Sequence, residues 1–381
     1  MACVNENGSI IVSYGALNVK TNLAFRVSLV YFSSDRGLVT RERVMSEIQV
    51  VAWTVVGFMA FIHMVRSIIM RVKNPSKNHQ DFAGDLLQVG KSVVAYQGAS
   101  NPDVNPKRTV VCMHGWLEDH RYFTEVYNGN NNGPMDELIL INSCDYHMPN
   151  TTRVASPVDW QTPNPHPPCT IEYDAAVLVM AVKNLATSAN IVLHGHSRGG
   201  AVVIEAIKQA PELLSQAHVI LEAPMLPEAS IARTHKLPKL VSKALSKFAV
   251  YIFPFAMFYL SRKPVPTAIT GKGKHNKRIL LSGLFFSAKN AGVLVRNFEN
   301  ILAWPMQNKM DILDGVRAGC VLVGEKDTVL SRRLLLKSAS KLKGNINVIQ
   351  TQQTGHFISL DIPEQVKSLN FNTAPLTLMT H

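Results

Sequence analysis

The feature that most constrains this chain is the alternation of short apolar strands with helices over residues 86–370. Runs of apolar and β-branched residues predict strands at Leu87–Tyr96, Thr109–Met113, Glu137–Asn142, Asn190–His194, His218–Glu222, Cys320–Gly324 and Ile346–Thr351. Helical periods predict helices at Ile171–Leu185, Ala201–Gln209, Ser331–Leu342 and Pro363–Leu369. Because such strands alternating with helices are typical of a parallel sheet covered on both faces, the sequence predicts an α/β fold.

Within this pattern, residues 195–199 read Gly-His-Ser-Arg-Gly and fit G-x-S-x-G, directly after a predicted strand and before a helix. A nucleophilic serine in this motif lies on a sharp turn, and the turn leaves no room for side chains at the flanking glycines. The N–H groups that open the helix then point at a developing oxyanion. The sequence therefore predicts Ser197 as a nucleophile, with Gly195 and Gly199 shaping the elbow.

Two further residues complete a catalytic set in chain order. Asp327 follows a buried strand in VLVGEKDTVL, and His356 lies in the loop after the next strand, in QTQQTGHFISL. A serine, an acid and a histidine at matching strand ends predict a Ser-His-Asp triad. Glu222, which closes the strand after the nucleophile helix, is the reserve candidate for the acid.

The motifs HGW, GHSRGG, GEKD and GHF resemble those of the serine-nucleophile members of the α/β-hydrolase superfamily, over about residues 86–370. The resemblance implies that His356 takes the proton of Ser197 and that Asp327 orients the imidazolium. It also implies an oxyanion hole formed by the backbone N–H groups of Trp116 and Arg198, with Leu117 as the alternative to Trp116. A Ser at the elbow disfavours the dehalogenase and epoxide hydrolase branches.

The remaining polar residues near these motifs are predicted to be structural. His194 is interpreted as a hydrogen-bonded core histidine, His196 as a pocket-lining residue and His114 as a support of the oxyanion loop. Asp119 and His120 are interpreted as loop structure.

The N-terminal part contains an apolar segment that is a candidate for a membrane helix. Residues 48–65 form 18 residues without a formal charge, about 27 Å as a helix, which predicts a single-pass anchor over 45–73. Four basic residues follow the run within residues 66–77 and three precede it within 36–43, so the positive-inside rule favours a cytoplasmic catalytic domain. Met45 offers an alternative start, in which case residues 1–44 would be a dispensable or untranslated extension.

An insertion of almost one hundred residues separates the strands that end at Glu222 and begin at Cys320. It predicts a cap domain at 228–309, inserted into a hydrolase core of 74–227 and 310–381. Residues 229–298 carry 13 of the 39 Lys and Arg and no acid, which leaves 26 basic against 27 acidic residues elsewhere and so accounts for the net charge of +12. The aromatic run at 248–260 predicts an acyl-binding wall, a face that contacts anionic lipid headgroups, or both together.

The five cysteines show no zinc spacing and no disulfide framework, so the sequence predicts no metal and no cofactor. The absence of a recognition motif disfavours nucleic acid as the partner of the basic insertion. The prediction is a membrane-anchored serine hydrolase that cleaves a carboxylic ester or thioester with a hydrophobic acyl group. An acyltransferase or a C–C bond hydrolase on the same triad, and a non-catalytic scaffold of the same fold, are the alternatives.

Overall fold

The computed structural model describes residues 2–4, 10–12, 41–72, 82–98, 108–127, 136–145, 153–229 and 288–369. The chain divides into two compact units, Met1–Phe58 and Met59–His381. Most of the predicted cap, residues 230–287, lies outside the described residues. The basic and aromatic stretches on which the headgroup prediction depends fall largely in that segment.

At the N-terminal end, two short strands, β1 (Ala2–Val4) and β2 (Ile10–Val12), pair antiparallel. Helix α1 (Arg41–Val72) follows and contains the segment predicted as a membrane anchor. Its described apolar side chains are mostly exposed, including Trp53 at 73%. However, among the residues that the structure describes, no helix is both long and apolar enough to cross a membrane. The structure thus confirms a helix in this segment.

The large unit is built on one nine-stranded sheet. Its strands are β3 (Asp85–Val89), β4 (Ser92–Gln97), β5 (Arg108–Met113), β6 (Asp136–Ile141), β7 (Ser156–Pro157), β8 (Ile191–His196), β9 (His218–Glu222), β10 (Ala318–Gly324) and β11 (Ile346–Thr351). They are ordered β11-β10-β9-β8-β5-β6-β4-β3-β7. All pairs are parallel except β3 with β4 and β4 with β6. The predicted α/β fold with a mostly parallel sheet is thus confirmed.

Helices follow most strands of this sheet. They are α2 (Thr124–Tyr127), α3 (Ile171–Leu185), α4 (Arg198–Gln209), α5 (Pro211–Leu214), α6 (Ala288–Gln307), α7 (Arg332–Ala339), α8 (Ile358–Asp361) and α9 (Pro363–Lys367), with 3-10 turns at His120–Phe123 and Met310–Leu313. Helix α3 has the predicted bounds. Thr170 caps it, since the Thr170 hydroxyl accepts a hydrogen bond from the Tyr173 N–H at 3.1 Å.

One predicted strand is wrong in its extent. The single strand predicted at Leu87–Tyr96 is two antiparallel strands, β3 and β4, joined by a tight turn. Gly90 takes φ 58°, a left-handed conformation that glycine adopts without steric cost. The apolar residues on both sides of this turn form one continuous run in the sequence, so the reversal leaves no break in hydrophobicity.

The sheet is covered on both faces, as the strand pattern predicts. Along β5, Val111 and Met113 belong to one apolar cluster and Val110 and Cys112 to the other, because successive side chains of a strand point to opposite faces. Helices α3, α4 and α6 cover the first face, and the aromatic residues at 122–127 together with α8 and α9 cover the second. The loops that leave the parallel strands at their carboxyl ends are left to form a site.

Candidate active site

Ser197 lies at the turn between β8 and α4, in a strained backbone conformation. Its φ of 52° and ψ of −117° fall in a region that residues with a side chain rarely adopt. The turn is held on both sides, because the Ser197 N–H donates to the carbonyl of Glu222 at 2.9 Å and the Ser197 carbonyl accepts from the N–H of Met225 at 2.9 Å. This geometry is that of a nucleophile elbow.

The two flanking glycines are required by close backbone contacts. A Cβ on Gly195 would lie 2.5 Å from the carbonyl oxygen of Gly199, and a Cβ on Gly199 would lie 1.9 Å from the carbonyl oxygen of Met113. Both distances are far below a carbon–oxygen contact. The spacing of G-x-S-x-G therefore reflects the approach of α4 to the ends of β8 and β5.

The contact at Gly199 gives a testable expectation. Gly199→Ala should lower the unfolding free energy by about 3 kcal/mol or more, because the backbone of Met113 must move to admit the methyl group of the alanine. Gly315→Ala is the matched control, because a Cβ there meets nothing within 4 Å. Urea unfolding of the two variants measures the difference. Equal stability of the two variants would contradict the close packing of the elbow.

The structure brings the three predicted triad residues into hydrogen-bond contact. His356 Nε2 lies 2.9 Å from Ser197 Oγ, and His356 Nδ1 lies 2.8 Å from Asp327 Oδ2. Because an ionised carboxylate only accepts hydrogen bonds, Nδ1 carries the proton toward Asp327 and Nε2 accepts from the serine hydroxyl. All three residues are buried or nearly so, with Ser197 at 9% and His356 at 3% exposure. This is the arrangement of a nucleophile, a base and an orienting acid.

Asp327 is held by more than the histidine. Its Oδ1 accepts from the backbone N–H groups of Val329 at 2.8 Å and Leu330 at 3.2 Å. Burial raises the pKa of Asp327, but the electrostatic attraction to His356, the hydrogen bond from its ring and these two N–H groups outweigh burial, so the pKa lies below its ordinary value. The carboxylate is therefore ionised and fixed in orientation.

The two N–H groups predicted for the oxyanion hole follow adjacent parallel strands. Arg198 opens α4, where a backbone N–H has no intrahelical carbonyl to bond. Trp116 lies in the turn after β5, next to Leu117 at φ 70°, and its ring makes a tilted contact with that of Phe298 of α6, with the centroids 5.1 Å apart. Since β5 and β8 are neighbours in the sheet, both segments end at the same edge as Ser197.

His114 fixes the loop that carries Trp116. Its Nε2 accepts from the N–H of Ser143 at 3.1 Å, so Nδ1 carries the proton and donates to the carbonyl of Gly115 at 2.7 Å. Burial lowers the pKa of His114 to about 3, which keeps the ring neutral in this role. The interpretation of His114 as a support of the oxyanion loop agrees with these contacts.

The reserve acid, Glu222, makes no hydrogen bond to His356 among the described residues. It accepts instead from His194 Nε2 at 3.1 Å, from the Tyr122 hydroxyl and from the Ser359 N–H and hydroxyl, both at 2.6 Å. Burial raises the pKa of Glu222, but the hydrogen bond from His194 and the charges of nearby histidines lower it to about 2. Glu222 is thus the ionised centre of a structural network, and His194 is a core histidine as the sequence indicates.

His196, predicted to line the pocket, is instead fully buried and bonded at both ring nitrogens. Nδ1 donates to Glu118 Oε2 at 2.8 Å and Nε2 donates to the backbone carbonyl of His356 at 2.9 Å. The same Glu118 oxygen accepts from the N–H of Gly115 at 2.8 Å. The pair of His196 and Glu118 therefore joins three segments: the loop after β5 that carries Gly115, the elbow at Ser197 and the loop that carries His356. The sequence analysis missed Glu118, although it follows the HGW motif by two positions.

Because both nitrogens of His196 donate, the ring is an imidazolium. Burial lowers the pKa of His196, but the Glu118 carboxylate outweighs it and raises the pKa to about 9. A pKa raised on folding stabilises the protein fully below about 6.5, the unfolded value, and this contribution is lost as the pH rises through about 9.

Glu118→Gln should therefore remove part of the pH dependence of stability. We expect the wild-type unfolding free energy to fall between pH 6.5 and pH 9 by roughly 1–3 kcal/mol more than that of the variant. Urea unfolding at several pH values measures this. Glu212→Gln, at an exposed carboxylate in α5, is the control and should leave the profile unchanged. Parallel profiles for wild type and Glu118→Gln would contradict a charged His196.

Comparisons with known proteins show the fold and no more. No protein-family profile matches the chain, and no curated protein matches its sequence. Among solved structures, a thermophilic esterase from Thermogutta terrifontis aligns with 72% of this chain and 90% of its own, at TM-score 0.50 and 16% identity.

Two further structures align at TM-score 0.49: Est816, an N-acyl homoserine lactone degrading enzyme (14% identity, 74% of this chain and 98% of that chain), and MenH from S. aureus (17% identity, 72% and 95%). The chain thus has the α/β-hydrolase fold.

Proposed function

We propose that this protein is a serine hydrolase that cleaves a carboxylic ester or thioester with a hydrophobic acyl group. The observation that carries the proposal is the relay from Ser197 Oγ through His356 to Asp327, at 2.9 and 2.8 Å, with the serine on a strained elbow. A nucleophile bonded to a base that is itself oriented by an acid is the arrangement that acyl transfer requires.

In the first half of the reaction, Ser197 Oγ attacks the carbonyl carbon while His356 Nε2 takes the hydroxyl proton. Asp327 holds the imidazole with Nε2 toward the serine and stabilises the imidazolium that forms. The carbonyl oxygen becomes an oxyanion, which the backbone N–H groups of Arg198 and of Trp116 or Leu117 stabilise. His356 then protonates the leaving alcohol or thiol, and an acyl-Ser197 ester remains.

In the second half, water attacks the acyl-Ser197 ester. His356 takes a proton from this water, and the N–H groups stabilise a second oxyanion. Collapse releases the carboxylic acid and returns the proton to Ser197. The strained backbone at Ser197 suits both halves, because it keeps Oγ in one place without the need to reorder the loop at each step.

A fluorophosphonate probe tests the proposal. It should label the folded full-length chain at Ser197, and denatured protein should not react, since the reaction needs the intact relay. Absence of labelling in folded protein would support the scaffold alternative. Comparison of hydrolysis with acyl transfer to an added alcohol separates a hydrolase from an acyltransferase, which would use the same residues with a different acceptor.

The membrane location, the cytoplasmic catalytic domain and the contact with anionic headgroups stay predictions. The exposed apolar side chains of α1 favour an apolar partner for this helix. If the basic stretch of residues 229–298 binds headgroups, the full-length chain should sediment with anionic vesicles and be released by salt. Equal sedimentation with neutral vesicles at high salt would contradict the role of charge.

A further inference from the structure

Two buried thiols lie side by side in a part of the molecule that the proposed mechanism does not use. Cys144 follows the end of β6, and Cys169 lies two residues before the start of α3. Their Sγ atoms are 3.8 Å apart, and the residues are 0% and 1% exposed. Nothing in their sequence spacing indicates a site, because the loop between them brings them together only in the folded chain.

A third ligand atom completes a cluster. A carboxylate oxygen of Asp145 and the two sulfurs all lie within 4.8 Å of one another. Both Asp145, at φ 57°, and Cys169, at φ 68°, take the left-handed backbone conformation, which is unusual for a cysteine. In this conformation the side chains of Asp145 and Cys169 meet that of Cys144.

We propose that Cys144, Asp145 and Cys169 bind a thiophilic divalent cation of the zinc type. Two sulfurs bound at about 2.3 Å to one tetrahedral ion lie about 3.8 Å apart, which is the distance found here. A disulfide would need the sulfurs to close to about 2.0 Å. Thiolate and carboxylate together are a donor set that zinc accepts, and a water would complete a tetrahedral site as the fourth ligand.

The charges around the cluster are consistent with such an ion. Two thiolates and one carboxylate carry three negative charges, and the ion supplies two positive ones. Arg296 of α6 supplies the remaining one, since its Nη2 lies 3.4 Å from Cys169 Sγ. Binding releases the thiol protons to solvent, so affinity should fall as the pH falls.

The ion would join the loop after β6 to the loop before α3, next to the elbow. The N–H of Cys144 donates to Asp174 Oδ1 of α3 at 2.9 Å, and Asp174 forms a buried ion pair with the Arg198 side chain at 2.8 Å. Through Arg296 the cluster also contacts α6, the helix whose Phe298 ring contacts the Trp116 ring. A bound ion would therefore stabilise the loop behind Arg198 and one end of the cap.

The test uses purified, reduced full-length protein, freed of metal and titrated with Cd²⁺ as the spectroscopic probe. We expect a sulfur-to-metal charge-transfer band in the ultraviolet that saturates at one ion per chain, and a melting temperature that rises with Cd²⁺ or Zn²⁺ concentration. Cys144→Ser and Cys169→Ser should abolish the band, whereas Cys3→Ser should retain it. Asp145→Asn, which keeps both buried thiols, should weaken binding by about tenfold or more.

Three results would overturn the proposal. One is the absence of a band in the folded wild type, and another is an unchanged band in both Asp145→Asn and Cys169→Ser. The third is a Cys144–Cys169 disulfide found by mass spectrometry in protein isolated without reductant, which would assign the pair to oxidation. If the serine variants do not fold, Asp145→Asn alone decides, because its side chain is not part of the buried core.

Discussion

Ser197→Ala should reduce kcat/KM for a short p-nitrophenyl ester by about 10⁴- to 10⁶-fold. The variant removes the Ser197 hydroxyl oxygen that lies 2.9 Å from His356 Nε2, so no acyl-enzyme can form. What remains is the rate contributed by substrate binding and the oxyanion N–H groups. Steady-state hydrolysis, with circular dichroism to verify the fold, measures the loss.

The matched control is Ser340→Ala, at an exposed serine that ends α7, and its activity should equal that of the wild type. A second inactive variant, Ser197→Gly, should be more stable than Ser197→Ala by about 1 kcal/mol, because glycine tolerates φ 52° without strain. If Ser197→Ala kept wild-type turnover, Ser197 could not be the nucleophile.

Asp327→Asn should lower kcat for the same ester by about 10⁴-fold. An asparagine can present its NH₂ group to His356 Nδ1, which favours the tautomer with the proton on Nε2, the wrong nitrogen for a base. The 2.8 Å contact to His356 and the two N–H groups from Val329 and Leu330 indicate that the side-chain position should change little. The loss should therefore appear in kcat, with KM little affected.

Glu222→Gln distinguishes the two acids that the sequence left as candidates. Glu222 accepts from Tyr122, His194 and Ser359, so its substitution should lower stability by about 1–3 kcal/mol through unsatisfied donors. Activity per folded molecule should stay within a few-fold of wild type. A fall in kcat as large as that of Asp327→Asn, in a variant that unfolds normally, would transfer the acid role to Glu222.

Much of the fold follows from local patterns. Strands β9 and β11 and helix α3 have the predicted bounds, because each is a run with a single clear period. The turn at Gly90 was missed since apolar residues continue on both sides of it. Helix α4 begins at Arg198, three residues before its predicted start. Glycine disfavours a helix, so the sequence pattern starts the helix too late, whereas in the structure Gly199 lies within the helix and allows its close approach to β5.

The residues of the candidate site also divide into those that local sequence patterns predict and those that they do not. Ser197, Asp327 and His356 could be named from the sequence, since each follows a strand at a position where the fold turns. The contacts of His196 with Glu118 and with the His356 carbonyl could not, because they join loops 78 and 160 residues apart in the chain. His196 was predicted to line a pocket, and the structure places it beneath the relay as a buried cation.

The sequence by itself determined the α/β architecture, the elbow and the order of the three relay residues, because these depend on periodicity and on the steric demands of short motifs. Only the tertiary structure decided which acid contacts His356, how Glu118 and His196 join the loops, and that Cys144 and Cys169 meet. These contacts depend on which strand ends become neighbours in the sheet. Hydrogen bonds and ligand distances of about 3–4 Å leave no pattern in the linear sequence.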